Sequence, residues 1–209
     1  MAAPPHGIEE MVELAHRVLG RLRRPTAARG APVLVGAFAF FAGAASIAVM
    51  ALAAWATRQP LIFPSLGPTA FLMFYSPRTP AACPRNALLG HAIGIGAGYL
   101  ALLAFGVRHA PPALARGVTL PWVGAAALSL GLTGGVMAAL RIPHPPAGAT
   151  TLIVSLGILP RPLELVTLLV AVVCLLLLGL VINRLAGIPY PVWGPVSSTP
   201  AATCRAGRT

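Results

Sequence analysis

Arg141-Ile142-Pro143-His144-Pro145-Pro146-Ala147-Gly148-Ala149-Thr150-Thr151-Leu152-Ile153-Val154-Ser155-Leu156-Gly157 decides the fold. Pro143, Pro145 and Pro146 forbid a helix at its start, because each ring removes an N–H and pushes the preceding residue out of the α region. The apolar residues that follow read as a short helix of about eight or nine residues, against the roughly 20 needed to cross a bilayer. A second stretch of the same kind lies upstream: Arg58-Gln59-Pro60-Leu61-Ile62-Phe63-Pro64-Ser65-Leu66-Gly67-Pro68-Thr69-Ala70-Phe71-Leu72-Met73-Phe74-Tyr75-Ser76-Pro77. It too opens on prolines and continues as a short apolar helix.

A shift of 81 residues relates the two. It carries Pro64 onto Pro145, Gly67 onto Gly148, Thr69 onto Thr150 and Phe71-Leu72 onto Leu152-Ile153. Four longer apolar runs, about 31–57, 86–107, 117–140 and 162–185, obey the same shift, the first falling near the third and the second near the fourth. Agreement of motif and span spacing reads as a tandem internal repeat, about 31–107 and 117–188. Paired Gly/Pro-interrupted apolar segments in matching halves point to a transporter binding site.

The composition requires a membrane. Of 209 residues, 57% are hydrophobic and 9% are charged, where a soluble domain carries about a quarter charged. The expected fold is an all-α integral membrane protein with four transmembrane helices plus two broken half-helix segments. All fifteen basic residues are Arg, the acids are Glu9, Glu10, Glu13 and Glu164, and there is no Asp. An aspartyl dyad and an aspartyl-phosphate pump are therefore excluded. No GxxxxGK[ST] loop and no HExxH occurs. The chain is expected not to be an enzyme, with no catalytic residue, cofactor or metal. Cys83, Cys174 and Cys204, without CxxC spacing, read as free thiols.

The Arg excess flanks apolar spans, where it sets topology, and gives no reason to expect nucleic acid. With four crossings and an inside N-terminus, ten Arg lie inside and five outside; if the broken segments cross fully, the repeats are inverted and the counts become eleven and four. Either way both termini are cytoplasmic, and the inner (plasma) membrane is the expected location. Residues 1–30 read as a cytoplasmic amphipathic helix lying on the membrane or on the bundle, residues 31–188 as the transmembrane domain, and 189–209 as a Pro-rich cytoplasmic tail. Trp55, Trp122, Tyr190 and Trp193 lie near span ends, as interfacial aromatics do.

The chemistry is expected at the two helix starts. The first N–H groups of a helix lack intrahelical partners and carry partial positive charge, so two such starts meeting at one point make an anion site. Gly67 and Gly148 are expected to admit close backbone approach, and Ser65, Thr69, Thr150 and Thr151 to add hydroxyls without charge. His144 can donate to an anion, carry a proton, or brace its loop. Within the second span, His91 is ionisable and so a functional candidate, unless it sits at the interface. Arg58 and Arg141, which flank the broken segments, either attract an anion or snorkel to headgroups. Glu164 follows Pro162 at a helix start and reads as structural. Gly90, Gly94 and Gly98, like Gly131 and Gly135, form stripes suited to close helix packing.

With PSLGPTAFLMFYSP in the first half and PHPPAGATTLIVSLG in the second, the chain resembles the HPP family of integral membrane proteins over roughly residues 31–188. His144-Pro145-Pro146 matches the motif that names the family. The resemblance implies four membrane spans, and it implies nitrite as substrate, since members in cyanobacteria and plant chloroplasts are associated with nitrite transport. The expected function is transport of a small anion at Ser65, Gly67, Thr69, His144, Pro145, Pro146, Gly148, Thr150 and Thr151. The alternatives are a small-solute channel and a structural or regulatory subunit without its own pathway. The expected partners are the lipid bilayer, the anion and further copies of the chain.

Overall fold

The computed structural model describes residues 31–195. The helix expected over 1–30 and the tail beyond 195, with Cys204, lie outside the described residues. Within them the chain is helical, with no strand. Four helices are long and apolar enough to cross a membrane: α1 (Ala31–Thr57), α3 (Pro84–Ala104), α5 (Leu120–Ala139) and α7 (Pro162–Leu185). Between them lie α2 (Leu66–Tyr75), a 3₁₀ turn at Pro80–Ala82, the single turn α4 (Ala113–Arg116) and α6 (Ala147–Ser155). The protein is a multi-pass membrane protein. Its outer faces carry exposed Phe40, Phe41, Leu52, Leu100, Leu163 and Leu177, an apolar surface suited to hydrocarbon.

Proline and left-handed residues punctuate the elements. Pro84 and Pro162 open their helices, where a missing N–H costs nothing. The helices α3, α6 and α7 end before Gly106, Gly157 and Gly187, all at positive φ. After α1 and α5 the left-handed residue is Arg58 (φ 57°) or Arg141 (φ 55°). At Arg141 the Arg141 N–H donates to Ala138 O and the Ile142 N–H to Met137 O, the paired bonds of a Schellman stop.

The two broken segments run from one end of the bundle to the other. Phe38, early in α1, meets Phe74 at the end of α2, with ring centroids 6.0 Å apart and edge-on. Asn183, near the end of α7, donates to Met73 O at 3.3 Å. So the chain leaves α1 at its C-terminal end and returns, by Tyr75, to the end where α1 began. The second segment does the converse. The Ala113 N–H donates to Leu156 O at 3.0 Å, and Gly157 lies against Trp122 and Pro112, at the end where α3 finishes and α5 starts. The second segment covers this distance with a short open stretch at 142–144 and a nine-residue helix, joined by turns. The chain thus traverses the bundle six times, and residues 31 and 195 share one end.

At the centre lies α3, packed on α5, α6 and α7, while α1 covers α2 and α7. One core joins Met50, Phe63, Leu66, Met73, Phe74, Leu168, Val172 and Leu175; another joins Leu102, Val107, Trp122, Val154 and Leu165. Two expected interfacial aromatics are therefore interior. Trp122 is buried under Gly157, and Tyr190 is buried because its hydroxyl donates to Ala82 O at 2.6 Å. Trp55 and Trp193 are exposed.

The glycine stripes also divide. Gly90, Gly94 and Gly98 press α3 onto the second broken segment. A Cβ at Gly94 would stand 2.8 Å from Ala147 O and from Thr151 Oγ1, and one at Gly98 2.8 Å from Val154 Cβ. Gly131 and Gly135 touch nothing across the helix and line an open groove with Leu128 and Val136, so the packing expected of them is absent from this chain's own fold. Gly179 meets Met73. The shift of 81 that carries Gly98 onto Gly179 also carries Met73 onto Val154: each half's second span grips the other half's short helix.

Candidate functional site

At the centre of the bundle, α3 delivers His91 between the two short helices. Its Nε2 lies 2.9 Å from Thr69 Oγ1 on α2, and its Nδ1 lies 2.6 Å from Thr150 Oγ1 on α6. These threonines are the pair related by the 81-residue shift. His144, just before α6, places Nε2 3.2 Å from His91 Nε2 and 3.3 Å from Thr69 Oγ1. Its Nδ1 lies 2.8 Å from Ala81 O. All four side chains are fully buried. Gly90 makes this possible, since a Cβ there would stand 2.8 Å from His144 Cβ.

Hydrogen-bond chemistry assigns the protons. A carbonyl only accepts, so His144 carries its proton on Nδ1 and presents a lone pair at Nε2. Thr69 donates to Ser65 O at 3.2 Å. Every donor then finds an acceptor if His91 holds its proton on Nε2, facing His144 and Thr69, and accepts at Nδ1 from the Thr150 hydroxyl. Two neutral imidazoles form a directed chain from Thr150 to Ala81.

A cleft of about 550 Å³ reaches this cluster from the end that holds residues 31 and 195. Pro80, Asn86, Arg141, Pro143, His144 and Pro195 line it. Arg141 is exposed there, and Arg85, half-buried, donates from Nε to Asn86 Oδ1 at 3.2 Å. Among the described residues the one carboxylate is Glu164. It lies at the opposite end, accepting from the Arg161 N–H at 3.1 Å, which is the helix-start role read from the sequence.

The expected site residues divide. Thr69, Thr150, His144 and His91 converge, and His91 is interior rather than interfacial. Pro145 and Arg141 line the cleft, and Pro146 is buried beside it. Thr151 turns away to Thr133 Oγ1 on α5 at 2.8 Å and to Ala147 O at 3.0 Å. Ser65 is buried with an unpartnered Oγ. Arg58 is exposed beyond α1, at the opposite end from the cleft.

Two expectations are corrected. Gly67 is exposed with open space where a Cβ would be, and Gly148 meets only Leu130 at 3.5 Å; the close approaches belong to Gly90, Gly94 and Gly98. Nor are the first N–H groups of α6 free. Those of Ala147, Gly148 and Ala149 donate to His144 O, Pro145 O and Pro146 O at 3.0–3.1 Å, because the chain enters through a 3₁₀-type turn that uses them. Side chains, not backbone donors, supply the polar groups.

Sequence reasoning passed over Thr133 and the Ala81 carbonyl. The signal for Thr133 was Ser129 four residues earlier, a polar stripe on an apolar helix; Thr133 donates to Ser129 O at 2.9 Å. Nothing in sequence marks one carbonyl.

No curated protein and no solved structure matches the chain. The family model described as "HPP, transmembrane region" matches residues 26–191, a range that holds all four membrane helices and both broken segments, and the chain belongs to the HPP family.

Proposed function

We propose that the protein transports a small monovalent anion across the membrane, with no bond made or broken. The carrying observation is the buried Thr69–His91–Thr150 bridge with His144, where two broken crossings meet at the inner end of a cleft bearing Arg141. The setting favours an anion on two counts. Arg141 and Arg85 add charge at the cleft. No carboxylate among the described residues opposes them. Nitrite is the substrate that the family resemblance favours.

The cleft opens to the cytoplasm in this reading. Arg78, Arg85, Arg141 and Arg184 lie at its end of the bundle and Arg58, Arg108, Arg116 and Arg161 at the other. The chain ends, with Arg17, Arg21, Arg23, Arg24, Arg29, Arg205 and Arg208, continue from the cleft's end and give it the positive-inside excess. Both termini then lie on the cytoplasmic side of the inner (plasma) membrane.

The test is flux into liposomes containing the purified protein, comparing nitrite, nitrate, formate and chloride at alkaline pH, where nitrous acid does not bypass the protein. Saturable nitrite entry above that of empty liposomes is expected. Background flux for all four anions would overturn the reading in favour of a structural or regulatory subunit.

A further inference from the structure

The same cluster holds one feature that anion binding alone does not use. Two imidazole Nε2 atoms face each other at 3.2 Å, and the far side of each ring has a different kind of partner. His144 Nδ1 faces a carbonyl and is fixed as a donor. His91 Nδ1 faces a hydroxyl, which can donate or accept with equal ease. The pair therefore has room for one more proton, and only at His91 Nδ1. When that proton arrives, His91 Nδ1–H donates to Thr150 Oγ1, and the proton between the two Nε2 atoms stays where it was. The Thr150 hydroxyl must then turn its own hydrogen away from His91. Thr150 stands in the first turn of α6, so the freed O–H joins the partly positive face of that helix start. Protonating His91 thus creates a donor for an anion, and that donor does not exist while His91 is neutral.

The charge balance enforces the converse. From α2 the cluster is faced by Thr69, with the Ser65 carbonyl behind it, and from α6 by Thr150, while Thr151 and the α5 hydroxyls of Ser129 and Thr133 bond one another to the side. From the chain between α2 and α3 come Ala81 and Cys83, from α3 Arg85 and Asn86, from beyond α5 Arg141, and from the tail Tyr190. Burial pushes the Cys83 thiol above its usual value and the Tyr190 hydroxyl likewise, so both stay neutral. None of these groups is anionic, and the cations repel a second positive charge. A buried unpaired cation is costly, so the ligand must supply the counter-charge.

We propose that His91 and His144 are a one-proton site charged only together with a bound monovalent anion, so that proton and anion cross as a neutral pair. This rests on the anion reading above and adds the coupling. One proton enters from solvent with the anion, resides at His91 Nδ1, and leaves with it; the two imidazoles end as they began.

The test uses purified full-length protein in weakly buffered detergent with a pH-indicator dye. Sodium nitrite is the probe, and its affinity is measured separately at several pH values. Uptake of about one proton per chain at saturation is expected, with affinity rising about tenfold for each unit fall in pH. His91→Gln should take up no proton and lose the pH dependence, whereas His144→Gln, whose amide can donate to Ala81 O and accept from His91 Nε2–H, should keep the uptake. Wild-type protein that binds nitrite with no proton uptake overturns the coupling and leaves the transport reading standing. Wild-type protein that neither binds nitrite nor passes it in liposomes overturns both.

Discussion

The two broken segments share a shape and differ in how they are held. The first short helix, α2, lies in a bed of large apolar side chains, with Leu66, Met73 and Phe74 against Leu168, Val172 and Leu175. It contributes one hydroxyl, Thr69, to the central cluster. The second, α6, is clasped by Gly90, Gly94 and Gly98 of α3 and bonded through Thr150 and Thr151 to two different spans. Contact with backbone and hydroxyls fixes position more tightly than contact with flexible side chains such as Met73. The second segment is the precise half and the first the adaptable one.

The sharpest way to break this contrast is to add bulk on each side. Gly94→Leu places carbon where Ala147 O and Thr151 Oγ1 already stand, and should cost about 3 kcal/mol or more. The expected result is loss of the sharp gel-filtration peak and a large fall in Tm. Gly67→Leu, which points into open space, should change Tm by no more than about 0.5 kcal/mol in equivalent stability. Equal behaviour of the two variants would remove the claimed asymmetry.

Threonine replacement probes the same contrast at smaller scale. Thr150→Val removes the donor to His91 Nδ1 and leaves a buried acceptor unpaired, a loss of about 1–3 kcal/mol. Thr69→Val should cost less, about 1 kcal/mol, because His91 Nε2 retains His144 as a partner. Chemical unfolding in detergent gives both numbers, and a larger loss at Thr69 would reverse the order of the two halves. Tyr190→Phe, which frees Ala82 O beside the cleft, should be the mildest, about 1 kcal/mol or less, read as faster proteolysis of the tail.

The crossings were legible from the start, because apolar runs and prolines act locally. Pro64, Pro145 and Pro146 stand just ahead of the two half-helices and mark where each begins. His144 stood out as the lone titratable group in its motif. What could not be read was which faces meet. Gly90, Gly94 and Gly98 have the same small-residue pattern as Gly131 and Gly135, yet one stripe is filled and the other open, since periodicity defines a face and not its partner. His91 lies 22 residues from Thr69 and 59 from Thr150, so only the tertiary fold makes it the bridge. Local pattern likewise left open whether the broken segments turn back or pass through. Contacts at their far ends, Phe38 with Phe74 and Ala113 with Leu156, decide that they pass.

The crossed grip of Gly98 on Val154 and Gly179 on Met73 bears on how the chain is made. Neither half closes wholly on itself, for each short helix packs on a span of its own half and also on a span from the other. During synthesis α2 emerges long before α7, and until Gly179 arrives Met73 has no groove to enter and its carbonyl no Asn183. A nascent chain stopped before Pro162 would hold its first broken crossing against α1, with the face that α7 covers left bare. Among the described residues the last helix therefore completes the seat of the first short helix.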